Sequence, residues 1–446
     1  MSDSNTRPEN MKNKNKKKKE KEKEKEKEKE QKQENEQKKE ENRFCFVTIV
    51  KNESHVIKRC IDSIANIATS YLICDTGSTD GTPEIIESYM REKNIPGEVV
   101  HKEWKNYAFN RSYAMEQFHN NSLVNDAKYV IWHDADEVFS TDRNDFLSYP
   151  TKKDADKLFE WLEARAQSII HILTVYGNLV YRRCQIVRNN QFYVWKSPKH
   201  EYIHGTKDNS SESYDGFVLS ARQEGNASKD PDRCKKDVQL FITYIDENGG
   251  YEKCPREVFY LAQEYESFDK KKAMKYYEIR TKVNAGYEQE KYMSYLRLGR
   301  LAYLEVDKIR YWTAGINLFP KRLECIYELM RLHIERKNNL EAFKLGIIID
   351  EKHQPNESDL FVEHKTYTYY FDLYLSLTAH YHGFHQIASD INQRNMLKNH
   401  DKPENLKLLV SNQFFFDKFM NEGGLIKLYE LNHLLSLKNQ NSERGT

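Results

Sequence analysis

Apolar and polar positions begin to alternate in a folded pattern at Arg43. Phe44-Cys45-Phe46-Val47-Thr48-Ile49-Val50 is an unbroken β-prone run, which predicts a strand covered on both faces. The polar Lys51-Asn52-Glu53 ends it. From His55 to Ile67, Val56, Ile57, Cys60, Ile61, Ile64 and Ile67 recur at helical spacing. Tyr71-Leu72-Ile73-Cys74 predicts a second strand ending at Asp75, and Pro83 opens a helix over 84–92 with Thr82 as its expected cap, since a missing N–H is harmless in the first turn. Val99-Val100 reads as a third strand, Tyr107 to Phe118 as a helix carrying Asn110 and Arg111, and Tyr129-Val130-Ile131-Trp132 as a fourth strand. Strand and helix in strict alternation predict a parallel, doubly wound sheet. After a helix over 154–166 come strand-like runs at 168–176, 179–187 and 192–196, with Gly177-Asn178 and Asn189-Asn190 as turns. These predict an antiparallel extension that forms the floor for an acceptor.

From Asp230 onward helices take over: 233–247, 256–268, 271–284 and 323–336, with another hairpin about Gly383. Ala273 and Ala342 stand 69 positions apart, close to twice a tetratricopeptide period of roughly 34 residues. A weaker unit lies between them, around Leu296 to Leu304. Lys337-Asn338 stands where that repeat usually turns on a glycine. Residues 1–42 are rich in Lys and Glu and nearly free of apolar side chains, so disorder is expected. Lys14 to Lys19 alternatively reads as a nuclear-entry or polyanion-binding run.

Lys plus Arg (70) almost cancels Asp plus Glu (69), which argues against a generally basic nucleic-acid binder. The seven cysteines form no Cys-x-x-Cys pair and fit reduced thiols. No window approaches the roughly 18 to 20 apolar residues that span a bilayer, and the N-terminus carries no apolar signal. A soluble, cytoplasmic protein is expected.

The chemistry gathers where strands end. Asp134-Ala135-Asp136-Glu137 follows the fourth strand, and carboxyl ends of strands are where open α/β sheets bind ligands. Two residues apart on an extended chain, Asp134 and Asp136 face the same way and would hold a hard divalent cation. The alternative is a solvated acidic turn. Asp75-Thr76-Gly77-Ser78-Thr79-Asp80 ends the second strand in the same manner. Both Gly-x-Gly-x-x-Gly and Gly-x-x-x-x-Gly-Lys are missing, so a metal is expected to neutralise any diphosphate. His200 is either structural or a neutral imidazole ligand, and Glu201 either a base or a hydrogen-bonding neighbour.

With these residues in place, the region from Arg43 to about Gly216 resembles the family 2 glycosyltransferases of GT-A fold. The resemblance rests on Lys51-Asn52-Glu53, Asp75 to Asp80, Asn110-Arg111, Asp134-Ala135-Asp136-Glu137 and His200-Glu201 in this order. The helical remainder looks like the tetratricopeptide part that follows this domain in one branch of the family. The resemblance implies a GT-A domain over 43–228 (Rossmann-like, a mostly parallel sheet with an antiparallel extension) and an all-α tetratricopeptide-like domain over 229–446. It implies a metal-dependent hexosyltransferase, inverting at the anomeric carbon, that uses a UDP- or GDP-sugar and a protein or glycan acceptor. By the same analogy Asp75 contacts the nucleotide base with Asn52, Glu53 and Asp80 nearby, and Arg111 offsets phosphate charge. Asp134, Asp136 and His200 hold Mn²⁺ or Mg²⁺, Asp134 alternatively meeting the ribose, and Glu201 is the general base. The helical hairpins would bind a peptide acceptor, form a homodimer or buttress the sheet. Two other readings compete: a helical-repeat binding scaffold carrying an inactive transferase domain, and a metal-dependent nucleotidyltransferase. The richness in Lys, Asn and Ile is similar to that of proteins from AT-rich genomes such as giant DNA viruses, for which host cytoplasm or virion would be the location.

Overall fold

The computed structural model describes residues 42–177, 179–222, 224–349, 355, 359 and 361–420. The Lys/Glu-rich tail, apart from Asn42, lies outside them. The chain divides into two compact units. One comprises the residues up to Lys196 together with Glu201–Asp230; the other comprises Ser197–His200 together with the residues from Pro231 onward.

In the first unit β1 (Phe44–Val50), α1 (Ile57–Ile64), β2 (Ser70–Asp75), α2 (Thr82–Glu92), β3 (Gly97–His101), α3 (Tyr107–Asn120) and β4 (Tyr129–Ile131) follow the predicted alternation. Then come β5 (Glu137–Ser140), α4 (Lys152–Glu163), β6 (Ile169–Tyr176), β7 (Leu179–Arg188), β8 (Tyr193–Lys196), β9 (Tyr202–Gly205) and β10 (Ser211–Ala221). Eight strands form one sheet in the order β3-β2-β1-β4-β7-β6-β10-β5, while β8 and β9 make a separate ribbon. β3, β2, β1 and β4 pair in parallel. β7 joins β4 antiparallel, and β6 joins β7 antiparallel. The expected fold class, a largely parallel sheet with an antiparallel extension, is therefore what forms.

Period-two alternation explains why every residue of β1 is buried. Phe44, Phe46 and Val50 enter one apolar cluster with Ile57, Ile61 and Ile64 of α1 and Leu158 and Leu162 of α4. Cys45, Val47 and Ile49 enter the other with Met115 and Phe118 of α3. At roughly 1.5–3 kcal/mol for each large apolar side chain removed from water, a strand covered on both faces is firmly anchored. What hangs from its C-terminal end is correspondingly well placed.

Two sequence expectations need correction. Thr82 does not cap α2: Gly81 holds that position with φ 80°, and the Thr82 hydroxyl instead donates to Asp80 Oδ1 at 2.5 Å and accepts from the Glu53 N–H at 2.9 Å. Residues 134–136 are not extended. They turn, with the Glu137 N–H donating to the Asp134 carbonyl at 3.0 Å, so the two aspartates meet different partners.

The second unit is a series of helices: α5 (Arg233–Glu247), α6 (Pro255–Tyr265), α7 (Lys270–Lys282), α8 (Glu288–Leu301), α9 (Glu305–Leu318), α10 (Leu323–Glu335), α11 (Asn339–Ile347), α12 (Phe371–Tyr381), α13 (His385–Lys398) and α14 (Pro403–Met420). A π turn over Thr366–Tyr370 leads into α12. Successive helices share apolar clusters, and the repeat alanines Ala262, Ala273 and Ala342 are fully buried. The segment read as a weak repeat around 296–304 is a full hairpin, α8 and α9. A Cβ on Gly299 would come within 2.2 Å of Trp312 Nε1, so only glycine permits that crossing. Among the described residues no helix is long and apolar enough to cross a membrane.

Candidate functional site

The loop after β1 is bound to the loop after β2 by polar side chains. Asn52, at φ 57°, accepts the Thr79 N–H at 2.7 Å and donates its own N–H to Ser78 Oγ at 2.9 Å. Asp80 accepts the Ser54 and Thr82 N–H groups, each at 3.1 Å. Its carboxyl is held down at about 2: the desolvation it suffers opposes this, and the hydrogen bonds from Thr82 and Ser54 outweigh it. Asp80 is thus the clasp of this double loop. Asp75, 3% exposed, accepts the Gly77 N–H at 3.1 Å and the Ser78 N–H at 3.2 Å. The exposed His101 lies 3.3 Å from Asp75 through Nδ1. Gly77, at φ 105°, supplies the left-handed bend that brings these N–H groups back to the carboxylate.

The acidic turn after β4 is sorted by two arginines. Arg111, 4% exposed, contacts Asp134 Oδ1 through Nη2 and donates Nε–H to Glu201 Oε1 at 2.8 Å. Its guanidinium lies 4.8 Å from the Trp132 ring and 5.3 Å from the Trp195 ring. Arg183 Nη2 contacts Glu137 Oε2, the oxygen that also accepts the Asp134 N–H at 2.9 Å. Burial would raise the Asp134 carboxyl, but the charges of Arg111 and Arg183 win and lower it. Burial pushes Glu137 up despite Arg183. Behind the turn the buried His133 is held to about 4 by desolvation and is therefore neutral.

Asp136 is treated differently. Its Oδ2 accepts the Gly225 N–H at 2.9 Å. Its carboxyl is raised, first by burial and then by the like charge of Asp134. Glu53 Oε1 accepts the Asn226 N–H at 3.1 Å, while Glu53 Oε2 is buried without a hydrogen-bond partner. Burial, reinforced by the charges of Asp136 and Asp134, pushes Glu53 up to about 7. Gly225 is wedged between the two acids: a Cβ there would lie 3.0 Å from Asp136 Oδ2 and 3.2 Å from Glu53 Oε1. Mutually repelling hard oxygens, one of them orphaned, are what a divalent cation relieves. These residues fit one, although among the described residues no group of three or more His, Cys, Asp or Glu is arranged as a complete metal site.

Within the first unit, then, Glu53, Arg111, Asp134, Asp136 and Glu201 are drawn into one electrostatic cluster, and Glu53 joins it to the Asn52–Asp75–Asp80 loops. His200 belongs to the second unit. It takes φ 52°, stacks at 4.1 Å on Tyr260 and lies 3.9 Å from Glu264. Sequence reasoning missed Arg183, His101, Gly225 and Asn226. A charged Arg182-Arg183 pair inside a strand was the available signal for the first.

Open α/β sheets bind ligands outside the carboxyl ends of their strands, where these polar loops and the acidic turn lie, and the sequence comparisons add a family likeness. Residues 45–144, from β1 through the acidic turn, match the model of glycosyl transferase family 2. Over 101 residues the chain is 35% identical to an uncharacterised glycosyltransferase of Rickettsia prowazekii, covering 23% of this chain and 30% of that one. Over 69 residues it is 35% identical to the lipopolysaccharide core biosynthesis glycosyltransferase LpsC of Rhizobium meliloti, covering 16% of this chain and 25% of that one. The chain thus spans less than a third of the length of these relatives. Among solved structures, S. aureus TarS 1–349 in complex with UDP-GlcNAc aligns over 72% of this chain and 99% of its own at 14% identity and a TM-score of 0.32. MamA aligns over 39% of this chain and 88% of its own at 13% identity and a TM-score of 0.27.

Proposed function

We propose that the first unit transfers a hexose from a UDP- or GDP-sugar to an acceptor nucleophile, with inversion at the anomeric carbon. The observation that carries this reading is the unequal treatment of the acids inside the family 2 segment. Asp134 and Glu137 are paired with arginines, whereas among the described residues Asp136 has only backbone donors, and its carboxyl is raised. Asp136 and Glu53 would hold Mn²⁺ or Mg²⁺. When bound, that ion supplies Lewis-acid stabilisation of the leaving diphosphate, typically several kcal/mol of barrier.

The remaining work falls to the chain's own side chains. Asp75, fixed by the Gly77 and Ser78 N–H groups and flanked by exposed His101, faces the nucleotide base; Asn52 and Asp80 hold that loop in shape. Arg111 fixes Glu201 and Asp134 with one planar fork. Glu201 takes the proton of the acceptor hydroxyl as its oxygen bonds to the anomeric carbon and the bond to the diphosphate breaks. In this role Arg111 orients carboxylates instead of meeting phosphate. All seven cysteines are free thiols, which supports a reducing, cytoplasmic setting. The helical unit is proposed to present a protein or glycan acceptor or to pair two copies of the chain.

Incubation with a panel of nucleotide sugars and Mn²⁺ tests the reading. Release of nucleoside diphosphate by the wild type, lost in Asp136→Asn, supports it; release that Asp136→Asn leaves intact counts against it.

A further inference from the structure

Two arginines bracket one tryptophan behind the acidic turn. The guanidinium carbon of Arg111 lies 4.8 Å, and that of Arg183 5.4 Å, from the Trp132 ring. Arg111 touches the site directly, through Asp134 and Glu201. Arg183 acts on Asp134 by its charge and hydrogen-bonds to the turn through Glu137, which is 3% exposed. Glu137 is well made for a relay. Its Oε2 accepts the Asp134 N–H at 2.9 Å, and its own N–H donates to the Asp134 carbonyl at 3.0 Å. The turn is therefore closed twice by one residue, and Arg183 holds the side-chain half of that closure.

The origin of Arg183 is rigid. It sits in the middle of β7, opposite Ile172 of β6, so the sheet determines where its guanidinium begins. Glu137 is buried and Arg183 partly so; an arginine–carboxylate pair that loses water in this way is a poor source of net stability, and geometry is the better-attested return. Here the geometry in question is the turn at Ala135 and Asp136. While Glu137 and Asp134 are occupied by arginines, the Asp136 carboxylate is directed to the Gly225 N–H and, among the described residues, has no cationic side chain on it. An open turn would free Asp136 to collapse onto either guanidinium.

We propose that Arg183, acting through Glu137, is a positioning residue that keeps the Asp134–Asp136 turn in its cation-binding shape. The inference rests on the reading of Asp136 as a cation ligand, and its test is built to separate the two.

Amide hydrogen exchange of the peptide containing Asp134–Glu137, read by mass spectrometry, reports the turn without any ligand. Mn²⁺ titrated calorimetrically in the presence of UDP or GDP reports the consequence. In Arg183→Gln that peptide exchanges faster than in the wild type, and Mn²⁺ affinity falls by about 10- to 100-fold, the usual loss when a partner of a metal ligand is removed. The double variant Arg183→Gln with Glu137→Gln keeps an acceptor for the Asp134 N–H and leaves no unpaired buried charge. It recovers both readouts to within about threefold, the non-additivity expected of one connected network. Unchanged exchange and affinity in Arg183→Gln overturn the proposal. So does a double variant as impaired as the single one, which would mean that Arg183 acts by its charge alone. Should Arg183→Gln not fold, the double variant decides: wild-type exchange and affinity support positioning, and loss of either refutes it. A wild type that binds no Mn²⁺ defeats the function proposed above, and the exchange comparison still decides the role of Arg183.

Discussion

Asp134 and Asp136 carry the same side chain two positions apart and end in opposite electrostatic states. Arg111 lowers the first; burial and its neighbour raise the second. Two substitutions test this sorting. Arg111→Lys keeps a charge but loses the fork that spans Asp134 and Glu201 and stacks on Trp132; turnover should fall at least about tenfold, since misplaced groups commonly cost 10²-fold, while circular dichroism stays that of the wild type. Gly225 has an ordinary φ of −64°, so Gly225→Ala is free of backbone strain and acts only through its methyl, 3.0 Å from Asp136 Oδ2. Calorimetry should then find Mn²⁺ bound about tenfold or more weakly, in the range for disturbed ligand partners. At this scale the sequence exposed the acidic turn, because acids follow an apolar run. It hid Arg183, which lies 46 positions from Glu137, and it hid the Gly225 and Asn226 donors, since backbone N–H groups leave no sequence signature.

Elements were legible where one pattern ruled. β1, α1 and β2 carry clean periodicities and formed as read. β5 is only four residues, too short to alternate. β10 escaped because Ser211–Ala221 is interrupted between Tyr214 and Val218, where its register against β6 shifts. In the helical unit the missing turn glycine has a structural counterpart. After α10, Lys337 takes φ 57° while its N–H donates to the Ile334 carbonyl and the Asn338 N–H to the His333 carbonyl, both at 2.8 Å. This is a Schellman close with lysine in the left-handed position. Lys337→Gly should therefore stabilise the unit by about 0.5–1 kcal/mol, given a left-handed cost of roughly 1–2 kcal/mol offset by glycine's greater unfolded freedom. The thermal unfolding midpoint should rise by about 1–4 °C. A lower midpoint would show that the lysine is unstrained.

For the molecule as a whole, the change from alternating strands and helices to helices alone announced two units. It could not announce that Ser197–His200 belongs with the second, because that depends on partners distant in sequence. Lys199 Nζ contacts Asp237 and lies 2.6 Å from Glu264. Burial alone would raise Glu264, but the neighbouring His200, 3.9 Å away, and the charge of Lys199 hold it at about 2 against an ordinary 4.5. A depressed carboxyl stabilises fully above its unfolded value and loses that contribution as pH falls through the folded one. The stability gap between wild type and Glu264→Gln, from urea unfolding, should thus be constant above about pH 5 and shrink towards pH 2; a gap that widens in acid reverses the sign. The central claim is that Asp136, and not Asp134, is the carboxylate left for a cation. Calorimetric titration of Mn²⁺ with UDP or GDP into wild type, Asp134→Asn and Asp136→Asn tests it most directly. The account predicts heat of binding in the wild type, its loss in Asp136→Asn and a weakened but measurable signal in Asp134→Asn. Undiminished binding by Asp136→Asn contradicts it.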